Sequence, residues 1–133
     1  MNNREFGRRG ERDAARFLKR NGYKIVGRNV YVGRVEIDII ARDSEHFLFV
    51  EVKTRHQVPG ESLYGRPADA LTPAKRHNML EAATRYISEN PDVIGELSPR
   101  IDAVEVYVDP NKKRHRVLDI RHFKNVVHPR RKI

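Results

Sequence analysis

Residues 35–55 read VEIDIIARDSEHFLFVEVKTR. Two apolar runs rich in β-branched and aromatic residues flank the polar turn ARDSE, the pattern of two antiparallel strands on a short connection. Yet Glu36, Asp38, Glu51 and Lys53 stand inside those runs. Successive side chains point to opposite faces of a strand. By that alternation Glu36, Asp38 and Ile40 share one face of the first run, and Val35, Ile37 and Ile39 the other. In the second, Phe47, Phe49, Glu51 and Lys53 lie opposite Leu48, Val50 and Val52. Both faces are apolar over most of their length, which marks strands buried on two sides. Simple register across the turn then sets Asp38 beside Glu51, with Lys53 one step further along.

Clustered charges in such a place are costly. Two carboxylates about 4 Å apart repel by roughly 4 kcal/mol at an effective dielectric of about 20, and desolvation adds several kcal/mol per ion. A divalent cation offsets both terms. Oxygen donors without histidine or cysteine favour Mg²⁺ or Mn²⁺, so Asp38, Glu51 and Glu36 are the expected metal ligands, with Glu36 able to reach solvent. The competing reading is a buried ion pair of Lys53 with Asp38 or Glu51, leaving Glu36 and Glu11 at the solvent edge. A metal held by Asp38 and Glu51 lowers the pKa of a bound water and neutralises phosphate charge. Lys53 beside it orients the attacking water and stabilises developing charge. These parts suit phosphodiester hydrolysis.

The flanking segments supply the rest of the fold. Residues 7–21 read as a helix, with Glu11, Ala14, Ala15 and Leu18 on one stripe and Asn21-Gly22 as its stop. Glu11 thus faces the core and adds a fourth carboxylate. Residues 23–30, 35–41 and 46–54 are strands of an antiparallel meander, because their short connections leave no room for crossovers. Residues 55–71 hold two glycines, two prolines and no periodicity, so a long loop is expected. Thr72-Pro73 opens a second helix reaching about Glu89, with Met79, Leu80, Ala83, Tyr86 and Ile87 as its apolar stripe. Residues 101–108 and 116–120 form a strand pair, and residues 128–133 a loose basic tail.

Composition narrows the function. The chain has 133 residues, 38% hydrophobic and 34% charged, the size of one domain with a compact core. No apolar run approaches the roughly 18 residues of a membrane span. The start MNNREFGRRGERD carries no signal segment, so cytoplasmic residence is expected. Absence of cysteine excludes disulfides and thiolate metal sites, and the six histidines show no close pair at zinc spacing. Lys plus Arg exceed Asp plus Glu by 27 to 18, a net charge of +9 that attracts polyanions or serves solubility alone.

An acidic residue on one strand followed by Glu-x-Lys on the next, here Asp38 and Glu51-Val52-Lys53, resembles the PD-(D/E)XK nuclease superfamily. More closely, the chain resembles the YraN-type family of small endonuclease-like proteins. The pieces are Gly7-Arg-Arg-Gly-Glu11, Gly22-Tyr23, Arg28-Asn29, Glu36-Ile-Asp-Ile-Ile-Ala41, Phe49-Val-Glu-Val-Lys-Thr-Arg55, Lys75 and Ile101-Asp102. The resemblance extends to archaeal Holliday-junction resolvases, whose site combines a helix-borne glutamate, an aspartate and a Glu-x-Lys. It implies a restriction-endonuclease-like α/β sandwich: a mixed central sheet flanked by helices, with an αβββαβ core plus an extra strand. It also implies catalytic roles for Glu11, Asp38, Glu51 and Lys53. One departure is Val35, where the family carries glycine, so the start of the second strand is expected to differ.

Arg55 and Arg66 in the long loop and Lys75 on the second helix are the candidate nucleic-acid contacts, weighed against solvated surface cations. Lys112-Lys113-Arg114 reads as a solvated turn, and Tyr31 and Tyr64 are the exposed aromatic candidates. The expected activity is metal-dependent hydrolysis of DNA, with branched or flapped DNA in view, RNA as a second partner, and a monomer or homodimer as the unit. The alternative is a nucleic-acid- or partner-binding module that keeps the nuclease fold without turnover.

Overall fold

The computed structural model describes residues 2–58, 71–111 and 113–127. Elements follow in the order α1 (Asn3–Arg20), β1 (Lys24–Val32), β2 (Val35–Arg42), β3 (His46–His56), α2 (Pro73–Glu89), α3 (Pro91–Ile94), β4 (Ser98–Val108) and β5 (Val117–Val127). The strands form one sheet in the order β1-β2-β3-β4-β5, antiparallel throughout except that β3 and β4 run parallel. That parallel step needs a crossover, which α2 and α3 supply. The result is the expected α/β sandwich: a mixed five-stranded sheet flanked by helices, an αβββαβ core with an extra strand.

Each face of the sheet carries its own core. On one side Ala14 and Leu18 of α1 pack over Ile39, Val50, Val104 and Val106. On the other, Met79 and Ala83 of α2 pack over Ile37, Ile40, Phe49 and Ile101. Burial on both faces is why β3 reads as a continuous apolar run. The element bounds differ from expectation at the ends. Helix α1 begins at Asn3 rather than at residue 7, because the Asn2 side chain accepts from Glu5 N at 2.8 Å and caps the first turn. Strand β3 runs on to His56, into the expected loop; residues 59–70 and the tail 128–133 lie outside the described residues.

Two local features position the site. Gly10 is buried in mid-helix, and a Cβ there would stand 1.7 Å from Thr54 Oγ1. Only a glycine lets α1 come this close to β3. The second feature corrects the alternation expected for β2. The β2–β3 ladder stops at Ile39↔Val50, although β1–β2 pairing continues to Val32↔Val35 and β3–β4 pairing to His56↔Val108. The tip of the β1–β2 hairpin therefore parts from β3. Ile37 joins the core under α2 while Ile39 joins the core under α1, so these two residues do not share a face, and Asp38 sits at the break.

Val35 causes no distortion. It pairs with Val32 in the strand, and Gly33, with φ of 60°, takes the positive-φ position of the hairpin turn.

Candidate active site where two strands part

Asp38 fills the gap left by the departing strand. Its Oδ2 accepts from Val52 N at 2.8 Å, giving that backbone donor the partner a neighbouring strand would have supplied. Burial, then the Glu51 charge and more weakly Glu11, push the Asp38 carboxyl from its ordinary 3.8 up to about 8, against the Val52 N–H. Glu51, facing α2, accepts from Lys75 Nζ at 2.8 Å. The Lys53 ion pair with Asp38 or Glu51 does not form: Lys53 is exposed, in no ion pair among the described residues, and Lys75 takes the role.

Glu11 and Glu36 meet across Asn29, whose Nδ2 donates to Glu11 Oε1 at 2.8 Å and to Glu36 Oε1 at 2.9 Å. Asn29 holds φ of 51°, a left-handed conformation that asparagine tolerates better than most residues. Tyr31, opposite Glu36 across the hairpin, also bonds it; Tyr31 first and Asn29 second hold the Glu36 carboxyl below its usual range. One carboxylate oxygen each from Glu11, Glu36 and Asp38 lie within 4.8 Å of one another. Glu36 is thereby drawn into the cluster rather than left at the solvent edge.

The acids border two open clefts that share Glu36. One, of ≈ 240 Å³, is lined by Glu36, Asp38, Glu51, Lys75 and Asn78. The other, of ≈ 400 Å³, is lined by Arg4, Arg8, Glu11, Asn29, Tyr31 and Glu36. Closely spaced carboxylate oxygens, together with a half-buried acid whose pKa is raised by burial and then by the Glu51 charge, are a donor set that could hold a hard divalent cation such as Mg²⁺ or Mn²⁺.

The nucleic-acid candidates fall out unevenly. Arg55 belongs to β3, not to a loop, and its Nε stands 3.5 Å from Oε2 of the buried Glu105. Arg66 and Tyr64 lie outside the described residues, as does Lys112. Lys75 is the candidate that reaches the acids. Sequence reasoning missed Asn29, Arg4 and Arg8 as members of the site. An asparagine in mid-strand, where that residue is disfavoured, was the available sign for Asn29.

A profile described as "Uncharacterised protein family UPF0102" matches residues 10–106. A UPF0102 protein of Chloroherpeton thalassium is 40% identical over 108 residues, 81% of this chain and 79% of that one. One of Caldicellulosiruptor saccharolyticus is 37% identical over 125 residues, 94% of this chain and 98% of the other. Among solved structures, SfsA of Pyrococcus furiosus in complex with Ca²⁺ is similar at a TM-score of 0.43 and 14% identity, over 88% of this chain and 63% of that one. That likeness is too distant to add to the fold read directly from the sheet.

Proposed function

This chain belongs to the uncharacterised protein family UPF0102, the YraN family, and with that as premise we propose that it is a metal-dependent nuclease hydrolysing phosphodiester bonds in DNA. The observation that carries the reading is Asp38, a half-buried carboxyl lodged between parting strands, its pKa raised by desolvation first and by the Glu51 and Glu11 charges after it. A fold keeps such an arrangement at a stability cost that an active site explains.

Asp38, Glu51 and Glu36, with Glu11 beside them, would hold Mg²⁺ or Mn²⁺. Bound there, the cation supplies a water of lowered pKa and neutralises charge on the scissile phosphate. Asn29 holds Glu11 and Glu36 together, so the helix-borne and hairpin-borne acids keep a fixed spacing. Asp38 stays oriented through Val52 N. Lys75 neutralises Glu51 and stands ready for a phosphate oxygen when the carboxylate turns to another cation. Lys53, two residues beyond Glu51 and exposed, lines neither cleft; in this reading its ammonium would swing in to the attacking water or the developing charge.

The test is a panel of labelled linear, flapped and four-way DNA and RNA substrates with Mg²⁺ or Mn²⁺. Metal-dependent cleavage is expected, lost by at least about a hundredfold in Glu51→Gln and in Lys53→Ala, with duplex binding nearly unchanged. Absence of cleavage on every substrate leaves the binding-module alternative. Activity that survives both substitutions belongs to a contaminant.

A further inference from the structure

Helix α1 carries Arg4, Arg8, Arg12, Arg16 and Arg20, one arginine every fourth residue along its length, and all are exposed. Residues four apart are neighbours on a helix surface, and like charges there weaken it. A salt-bridge-laced helix would place acids between them. Here the acids of α1 are engaged elsewhere: Glu5 with Arg9 at 3.1 Å, Glu11 with Asn29 at 2.8 Å, and Asp13 with His115 at 2.6 Å. None of the stripe arginines is ion-paired among the described residues, whereas Arg9, off the stripe, is. Arg4 and Arg8 feel the Glu36 charge across their cleft without pairing with it, and Arg12, Arg16 and Arg20 continue the row with no ion pair among the described residues.

The stripe has a direction. Arg4 and Arg8 line the cleft that holds Glu11, Asn29 and Glu36. From there the row runs to Arg20 at the far end of the helix. At about 1.5 Å per residue it is roughly 24 Å long, the length of about seven base pairs at about 3.4 Å each.

We propose that the arginine stripe of α1 is the docking surface for the phosphate backbone of duplex DNA, guiding it to the acid cluster. The direction of guidance rests on the nuclease reading; the docking itself stands on the charge pattern. The row leans about 40° around the helix at each step, so Arg12, Arg16 and Arg20 lie within about 80° of one another on the exposed side of α1. Such an inclined row of cations complements the inclined row of phosphates on a duplex. Single strands are gripped by stacked bases, and the aromatics of α1, Phe6 and Phe17, are packed against the core. An anionic membrane is the other polyanion a basic helix meets, but such helices insert an apolar face. The apolar face of α1 is buried under the sheet.

The experiment compares two triple variants of the full chain by anisotropy with a labelled DNA duplex across about 50 to 200 mM salt. Arg12→Gln/Arg16→Gln/Arg20→Gln thins the stripe away from the acids. Lys24→Gln/Lys113→Gln/Lys124→Gln removes the same charge from exposed positions elsewhere. The stripe variant is expected to bind roughly a hundredfold more weakly or worse at about 100 mM salt, its log–log salt slope shallower by about 2.7, or 0.9 for each of three contacts. The control should stay within a few-fold of wild type. Melting temperature of the stripe variant should hold or rise, since like-charge pairs are removed, which separates lost docking from lost folding. Equal weakening in both variants, or none in the stripe variant, overturns the proposal. So does tighter binding of wild type to phosphatidylserine vesicles or to duplex RNA than to duplex DNA. Stripe-dependent binding without cleavage sinks the nuclease reading alone; cleavage with a stripe variant that binds normally sinks the docking surface alone.

Discussion

Substituting Asp38 by asparagine should stabilise the metal-free protein, by an amount that grows as pH rises towards about 8. In the folded chain this carboxyl titrates at about 8 instead of 3.8, with burial the main cause and Glu51 the next. The folded state therefore holds a proton that the unfolded chain has released, and wild-type stability falls as pH rises from about 4 to about 8. At about 1.4 kcal/mol per pH unit, the loss between about pH 5 and pH 8 has an upper limit of about 4 kcal/mol. Solvent reaches the half-buried carboxyl and weakens the effect, so about 2 kcal/mol is the expected net figure. Asp38→Asn keeps the shape, its amide oxygen can accept from Val52 N, and its amide nitrogen can donate to Glu51. Urea unfolding in EDTA, at about pH 5 and about pH 8.5, reads the difference directly. The two proteins should be nearly equal at the acid end and the variant about 2 kcal/mol more stable at the alkaline end. Parallel pH dependences, or a variant weaker at about pH 8.5, would refute the picture of a half-buried carboxyl with a raised pKa.

Asn29→Asp exchanges the donor shared by Glu11 and Glu36 for a further negative charge while tolerating the same backbone angle. Apo stability at neutral pH should drop by about 1–2 kcal/mol, and Mn²⁺ should raise the variant's melting temperature more than the wild type's; an equal metal response in both contradicts the cluster. Gly10→Ala drives a methyl into Thr54 and should cost about 1–3 kcal/mol, seen as a lower urea midpoint with far-UV helicity retained. Asp102 is fully buried and accepts from Arg100 at 2.9 Å, His122 at 2.6 Å and Asn125 N at 2.9 Å. Asp102→Asn should destabilise by about 2–3 kcal/mol, because it leaves the half-buried Arg100 guanidinium without its carboxylate; a near-neutral melt would mean that this network contributes nothing.

The layering of helices on a mixed sheet was legible because hydrophobic periodicity and short connections leave few arrangements. Asp38 and Glu51 were legible as charges inside apolar runs. What escaped depends on side chains meeting across elements. Asn29 reads as an ordinary strand residue until its unusual φ brings its amide between acids from α1 and β2. The face of Ile37 escaped because strict alternation assumes a strand paired on both sides, and β2 loses β3 halfway. The far half of β5 escaped because Lys124 and Asn125 are poor strand formers; there Asn125 takes φ of 57° and donates its N–H to Asp102 across an irregular register. Arg55 looked like a loop cation because the turn-forming residues begin so soon after it.

Beyond Ile39↔Val50, β3 turns an unaccompanied margin of backbone toward the cleft. In most proteins a bare strand margin invites another extended chain to add itself on, and natural sheets guard against that with charge. Here the guard is a carboxylate of the acid cluster. The carboxylate of Asp38 occupies the Val52 N–H that an invading strand would need first, and the neighbouring acids repel what comes close. On the nuclease reading, one carboxylate would both serve the reaction and guard this margin against pairing with copies of the chain. Trimming Asp38 to alanine would open a sticky seam as well as silence the site, and concentrated solutions of such a variant should self-associate where those of Asp38→Asn do not.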